Sequence, residues 1–416
     1  MKKIELLAPA GDLEKLKIAL AYGADAVYFG GESFGLRAGA GNFSLDDIRE
    51  GVDYAHARGK RAYMTLNIFA HNIDIDLLSI YLEGIRDIPI DAFIVSDFGI
   101  LATIKDKLSQ AEIHLSTQAN TTNYKAAEFW FHQGVKRVVL ARELSFAEII
   151  KLRAHTPPQL EIEAFVQGAM CISYSGRCLM SNLMADRDAN RGACAHPCRW
   201  SYHLVEEKRP DEYYPVFEDE RGTYVFNSKD LCMLEHIPEL IDSGLSSLKI
   251  EGRMKSVFYV ATIVGAYRKA IDDYYENPKA YHFDPELMTE IKKVSHRHFT
   301  TGFYFDKPTN EDQNYKTSSY IRDYVFLGIV QSYDADTHLA LVEQRNKIVL
   351  GDEIEVFGPY TPYFSQRVTI MLDSEGVPIE AAPHAQQMVQ IRMDHPVGEN
   401  FMLRKSTNRE VSNEQI

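Results

Sequence analysis

Between residue 4 and residue 253 one phrase recurs: an amphipathic helical stretch, a Gly or Pro break, a small polar residue, then a short apolar run that ends in polar side chains. Four copies are plain, GADAVYFGG from Gly23, PIDAFIVSD from Pro89, GVKRVVLAR from Gly134 and GLSSLKIEG from Gly244, and IELLAPAG, KRAYMTLNIF, EIHLSTQAN and LEIEAFVQG raise the number of strands to eight. Helical stretches lie between most of them. In SLDDIREGVDYAHARG, Ser44 has the short side chain of an N-cap and Gly59 stands where a helix should stop. Short apolar strands alternating with helices require a parallel sheet covered by helices, and eight units predict a (β/α)8 TIM-like barrel over residues 1–300. A doubly wound open sheet is the alternative; no GxGxxG follows the first strand, which speaks against a dinucleotide fold.

The least random stretch is Gln167 to Trp200, which packs four of the five cysteines into 28 positions. Cys171 is followed after six residues by Cys178, after fifteen by Cys194 and after three by Cys198, with Cys232 thirty-four further on. Gly168, Gly176, Gly192 and Pro197 let the backbone fold tightly around them. Soft thiolate donors gathered in one loop suit an iron–sulfur cluster or a tetrahedral zinc. Buried inert thiols and disulfides are the plainer readings, and His196, between Cys194 and Cys198, is a further candidate ligand. The block follows the seventh strand, so residues 169–229 form one long insertion at the carboxyl face, with Cys232 at the start of the next helix and all five thiols able to converge there.

Chemistry in such a barrel sits where strands end. Twelve residues stand at those ends: Tyr28, Asn67, Asp97 and Glu143, and eight more that carry the functional reading. Glu163 shares one side of EIEAF with Glu161 and Phe165, and a carboxylate there must be paired or used. Lys249, Glu251 and Arg253 alternate in LKIEGR and meet the same interior, as an ion network or as a clamp on an anionic substrate. With Arg142 these are the candidate catalytic residues; Gln118, Asn120 and Gln167 are the candidate substrate contacts, with loop anchoring the competing role. No HExxH occurs, and His71, His114, His296 and His298 are scattered, although a Cys–His nucleophile assembled by the fold stays open.

Beyond Gly252, SVFYVATIVGAYRKAIDDYYENP predicts a helix that closes the barrel, followed by an irregular connection over 301–323. From Tyr324 six β-rich segments separated by turns predict a small all-β barrel over 324–405, with Gly351 and Asp352 in a turn and a frayed tail at 406–416. The 45% hydrophobic and 25% charged content is that of a globular protein, no run approaches the ~20 apolar residues of a membrane span, and MKKIELLAPAGD lacks the apolar core of a signal peptide. A cytoplasmic location is therefore expected, and in that reducing compartment clustered thiols are ligands more often than bridges. The net charge of −14 argues against broad nucleic-acid binding and leaves room only for a local basic face. The 23 tyrosines and 21 phenylalanines are read as core and interface.

EAFVQGAMCISYSGRCLMS resembles the signature of the collagenase-like peptidase family U32, and FNSKDLC, SLKIEGRMKS, RHFTTGFY and LAPAGDLEKLKIALAYGADAVYFGG resemble further blocks of it. The resemblance runs through essentially the whole chain. It implies a barrel catalytic domain; some members are named as peptidases, others are oxygen-independent hydroxylation factors with a [4Fe–4S] cluster. The branch with an appended β-domain is implicated in prephenate-dependent 5-hydroxylation of the wobble uridine of tRNA. Carried over, the cluster ligands are Cys171, Cys178 and Cys194, with Cys198 and Cys232 competing for the fourth place. A zinc on the same thiols would be structural, since four protein ligands leave no open position. The implied partners are tRNA and either a paralogous family subunit or a second copy; a peptidase and a non-catalytic scaffold are the alternative functions.

Overall fold

The computed structural model describes residues 3–36, 41–171, 173–200, 203–206, 209–215, 229–307 and 320–407. Eight parallel strands stand where the recurring phrase puts them: β1 (Glu5–Pro9), β2 (Ala26–Phe29), β3 (Arg61–Leu66), β4 (Ala92–Val95), β5 (Ile113–Leu115), β6 (Arg137–Val139), β7 (Glu161–Ala169) and β8 (Ser247–Ile250). Each pairs with the next, and β8 pairs with both β7 and β1, which closes the barrel. Buried on both faces, these strands read as short unbroken apolar runs rather than as alternation.

Helices wrap the ring, and their starts are capped as the sequence suggests. Ser44 and Asp47 form a reciprocal capping box at the helix Leu45–His56, and Gly59, at φ +65°, reverses the chain after it. The helix Val257–Glu276 packs on β1 and on the helix Leu13–Ala21, and among the described residues no helix is long and apolar enough to cross a membrane.

Two local departures from regular alternation shape the barrel mouth. Lys249 pairs with Phe165 but the next residue, Ile250, pairs with Gln167, so Val166 is an extra residue in β7 and the side-chain parity flips beyond it. Gly168 sits at φ +114°, where a Cβ would lie 2.8 Å from the Glu251 carbonyl oxygen, so glycine is required there. Cys232 stands not at a helix start but in a short strand, Asp230–Cys232, antiparallel to the end of β7. The RHFTTGFY block likewise contributes a strand, Phe299–Thr300, that pairs with Asp230 and Leu231. Residues 216–228 of the insertion and 308–319 of the expected connection lie outside the described residues, as does the expected tail from residue 408.

The C-terminal domain is an antiparallel sheet of seven strands with its own apolar core. All six β-rich segments are present, one of them split into Thr361–Arg367 and Met371–Leu372. These two are the edges of the sheet and are joined by only three residues, so the sheet curls round on itself as a barrel does. Gly351 and Asp352 occupy the expected turn, where Asp352 Oδ2 accepts hydrogen bonds from Val349 N and Lys405 Nζ, both at 2.9 Å.

The sheet is fastened to the barrel by buried charge. Arg404, fully buried, donates to Glu355 at 2.8 Å and to Glu290 at 2.7 Å, the latter on the helix Pro285–Ile291, and Phe258 stacks on Phe326 at 5.4 Å. Arg404→Ala leaves both carboxylates without that partner and is expected to cost about 3–5 kcal/mol of stability. Calorimetry should then separate the one unfolding transition into two; a single unshifted transition would contradict this account of the seam.

Candidate functional site

Along the barrel axis, charge climbs from the closed end to the mouth. Arg137, 1% exposed at the start of β6, donates to Glu161 at 2.6 Å and to Glu163 at 2.9 Å and pairs with Glu5 of β1, whose carboxylate also accepts from Tyr63 Oη at 2.8 Å. Glu163, fully buried, accepts at 2.9 Å from Lys249 Nζ, one layer higher. Burial alone would raise the Glu163 carboxyl, but Lys249 and Arg137 outweigh it and hold it at about 2. Burial lowers Lys249, against the pull of Glu163. The ammonium rests 4.4 Å from the Tyr28 ring centroid and forms part of a cavity floor.

That cavity, about 1130 Å³ out to open solvent, lies at the carboxyl ends of the strands. Lys249, Arg142, Glu251, Arg253 and Gln118 line it, and so do Cys171, Cys178, Cys194 and Cys198. The thiols come in on one loop, and its anchors are specific. Glu143 accepts from Ser175 N and Ser175 Oγ, both at 2.7 Å; Arg191 grips Asp74 with two bonds of 2.6 and 2.8 Å; Asn190 bonds the backbone N–H and C=O of Cys178 at 3.2 and 3.0 Å. The Arg191 guanidinium holds the Asp74 carboxyl down at about 2, so this clamp is charged at neutral pH. Backbone N–H groups point at sulfur: Met180 N to Cys178 at 3.3 Å and His196 N to Cys194 at 3.4 Å. Burial raises the Cys171 thiol, with Arg142 opposing and the neighbouring Cys178 and Cys194 adding to the rise.

The remaining candidates separate by geometry. Arg142 lies 4.1 Å from the Phe165 centroid, with its buried Nε unpaired among the described residues. Gln118, 6% exposed, has an Oε1 that is unpaired among the same residues. Arg253 is committed to the loop after β2 and to β3: it donates to Leu36 O at 2.8 Å, Thr65 Oγ1 at 3.2 Å and Asn42 Oδ1 at 2.9 Å, lying against Gly30 where any Cβ would strike it. Asn120, at φ +54°, ends a short turn and does not line the cavity. Gln167 is turned the other way, because the bulge at Val166 reverses its parity, and accepts from Tyr267 Oη at 3.2 Å behind the strand.

Cys232 is apart from the other four thiols. It is buried in the apolar core beside Tyr267, and burial pushes its thiol up to about 12. Among the described residues no three Cys, His, Asp or Glu side chains meet as ligands of one metal ion. Cys194 Sγ and His196 Nδ1 lie 3.9 Å apart. Arg137 does not stand out in the sequence because GVKRVVLAR looks like an ordinary basic strand; the carboxylates Glu161 and Glu163 opposite it are the signal that an inward cation is needed.

The family model described as peptidase family U32 matches residues 11–314, and that of the peptidase family U32 C-terminal domain matches 322–404. The chain is 43% identical over 404 residues to tRNA hydroxylation protein P1 of Bacillus subtilis, covering 97% of this chain and 95% of that one. It is 37% identical to tRNA hydroxylation protein P of Escherichia coli over 86% of this chain and 87% of that one. It is also 37% identical to the 23S rRNA 5-hydroxycytidine C2501 synthase of Escherichia coli, over 65% of this chain and 39% of that one.

Proposed function

The chain belongs to peptidase family U32, and on that premise we propose that it is an iron–sulfur enzyme that hydroxylates a uridine of tRNA without oxygen, at C5 of the wobble position and with prephenate as co-substrate. The observation that carries the reading is the convergence of four thiols and the cations Lys249 and Arg142 on one cavity at the strand ends, in a chain whose relatives are named for RNA hydroxylation.

Cys171, Cys178, Cys194 and Cys198 would hold the cluster. All four line the same cavity, and thiolates are the donors such a cluster takes. When bound, a cluster supplies one-electron redox chemistry beside the substrate.

The chain's own residues do the rest. Lys249, paired with Glu163, and Arg142, with its Nε unpaired among the described residues, suit the carboxylates of a small dicarboxylic acid. A nucleobase must leave its stack to reach such a cavity. Gln118 offers an amide whose oxygen accepts from N3–H of a uracil while its nitrogen donates to O4, the complement of that base. Phe165 and Ile94 add apolar surface to the same wall.

The test is the nucleoside content of tRNA from a strain lacking this chain. The hydroxylated uridine should disappear on deletion and return with the intact gene, and Gln118→Leu should restore it at a rate roughly tenfold lower, the cost of one lost buried hydrogen bond. An unchanged tRNA nucleoside profile in the deletion strain contradicts the function.

A further inference from the structure

The mouth cavity does not end at the barrel. A second cavity, about 1190 Å³ out to open solvent, shares Ala169, His196 and Glu251 with it and continues into the seam between the barrel and the C-terminal sheet. Its barrel side carries Lys255 and Met254, on the turn just past β8; its other side carries Tyr320 and Arg322, which lead into the first strand of the sheet domain, Tyr324–Asp334. Lys255 Nζ lies 4.2 Å from the Tyr320 centroid and 5.0 Å from that of Tyr259 and reaches Ser295 O at 3.5 Å. Among the described residues no carboxylate pairs with Lys255 or with the exposed Arg322, and Glu251 is the only acid in the wall. Met254, next to Lys255 in the chain, lines the same cavity and is 51% exposed. Lys255 and Arg322 thus stand as two cations in a wall that is interleaved with aromatic rings and opens onto the thiol-lined mouth.

We propose that this seam carries the single-stranded RNA flanking the nucleotide turned into the mouth, with backbone phosphates on Lys255 and Arg322 and a neighbouring base against Met254. The inference rests on the RNA reading and deepens it. A groove with cations along its length and aromatic or apolar surface between them is the form in which proteins hold an unpaired strand regardless of sequence. The seam also gives the C-terminal sheet a role, since one wall of the groove exists only because that domain is docked where it is.

The experiment uses the full chain purified without oxygen and a fluorescein-labelled anticodon stem-loop RNA, with fluorescence anisotropy read between about 50 and 200 mM salt. In Lys255→Gln/Arg322→Gln the Kd should rise about tenfold or more, and the slope of log K against log salt should fall by about 1.4, two single-strand phosphate contacts. Each single variant should lose about half of that slope, which keeps the test alive if the double variant folds poorly. Iron content and melting behaviour should match the parent. A control with the same charge change elsewhere, Lys125→Gln/Lys269→Gln at side chains 73% and 58% exposed, should bind as the parent does. Parent-like affinity and slope in both single groove variants would overturn the seam while leaving the RNA function standing. Absence of RNA binding by the parent protein would remove both.

Discussion

Cys194→Ala is expected to abolish hydroxylation and to strip the protein of its iron, while Cys232→Ser leaves both intact. The contrast comes from position. Cys194 faces the mouth cavity with three other thiols and receives a hydrogen bond from His196 N at 3.4 Å. Cys232 sits in the core on a short strand, its thiol pushed up to about 12 by burial, and metal ligation needs the thiolate. The loop carrying Cys194 is held by Glu143 to Ser175 and by Asp74 to Arg191, contacts that do not involve the sulfur, so Cys194→Ala should keep its circular dichroism and its melting of the barrel. Tracking RNA modification and iron per chain in the two variants checks this. Iron retained in Cys194→Ala, or lost in Cys232→Ser, would reassign the ligands.

Glu163→Gln is expected to destabilise the barrel by about 3–5 kcal/mol, the cost of removing one partner from a buried charge pair. Lys249 and Arg137 both bond that carboxylate at 2.9 Å, and with it gone a buried ammonium at the cavity floor faces burial without compensation. Urea denaturation measures the loss directly. Glu163→Gln/Lys249→Met, which removes both charges, should recover part of it, and this coupling separates the pair from simple packing damage. Strictly additive losses would contradict it. The same pair sets a pH dependence. Glu163 is held at about 2, below the ordinary carboxyl value of about 4.3, so its contribution is fully present above that ordinary value and is lost as pH falls toward 2.

The barrel was legible because most of its strands are short apolar runs punctuated by Gly or Pro and followed by a helix, a pattern few other folds impose. The cysteine block was equally plain, since spacing in sequence survives any folding of the loop. What alternation could not carry was a break in alternation: the extra residue at Val166 turns Gln167 behind β7, and nothing in EAFVQGA announces it. Cys232 illustrates a second limit. Counting thiols says how many exist, whereas the short strand Asp230–Cys232, antiparallel to β7, is a long-range pairing that sends this one into the core. The seam beside the mouth is a third case, because Lys255 and Arg322 are 67 positions apart and become one surface only through the docking of the C-terminal sheet.

The measurement that bears most directly on the whole account is the visible absorption spectrum, with iron, sulfide and zinc counts per chain, of protein purified without oxygen. The account predicts a brown protein with about four irons and four sulfides per chain, as a [4Fe–4S] cluster on Cys171, Cys178, Cys194 and Cys198 requires. A colourless protein holding one zinc, or no metal even after anaerobic reconstitution with iron and sulfide, would contradict it.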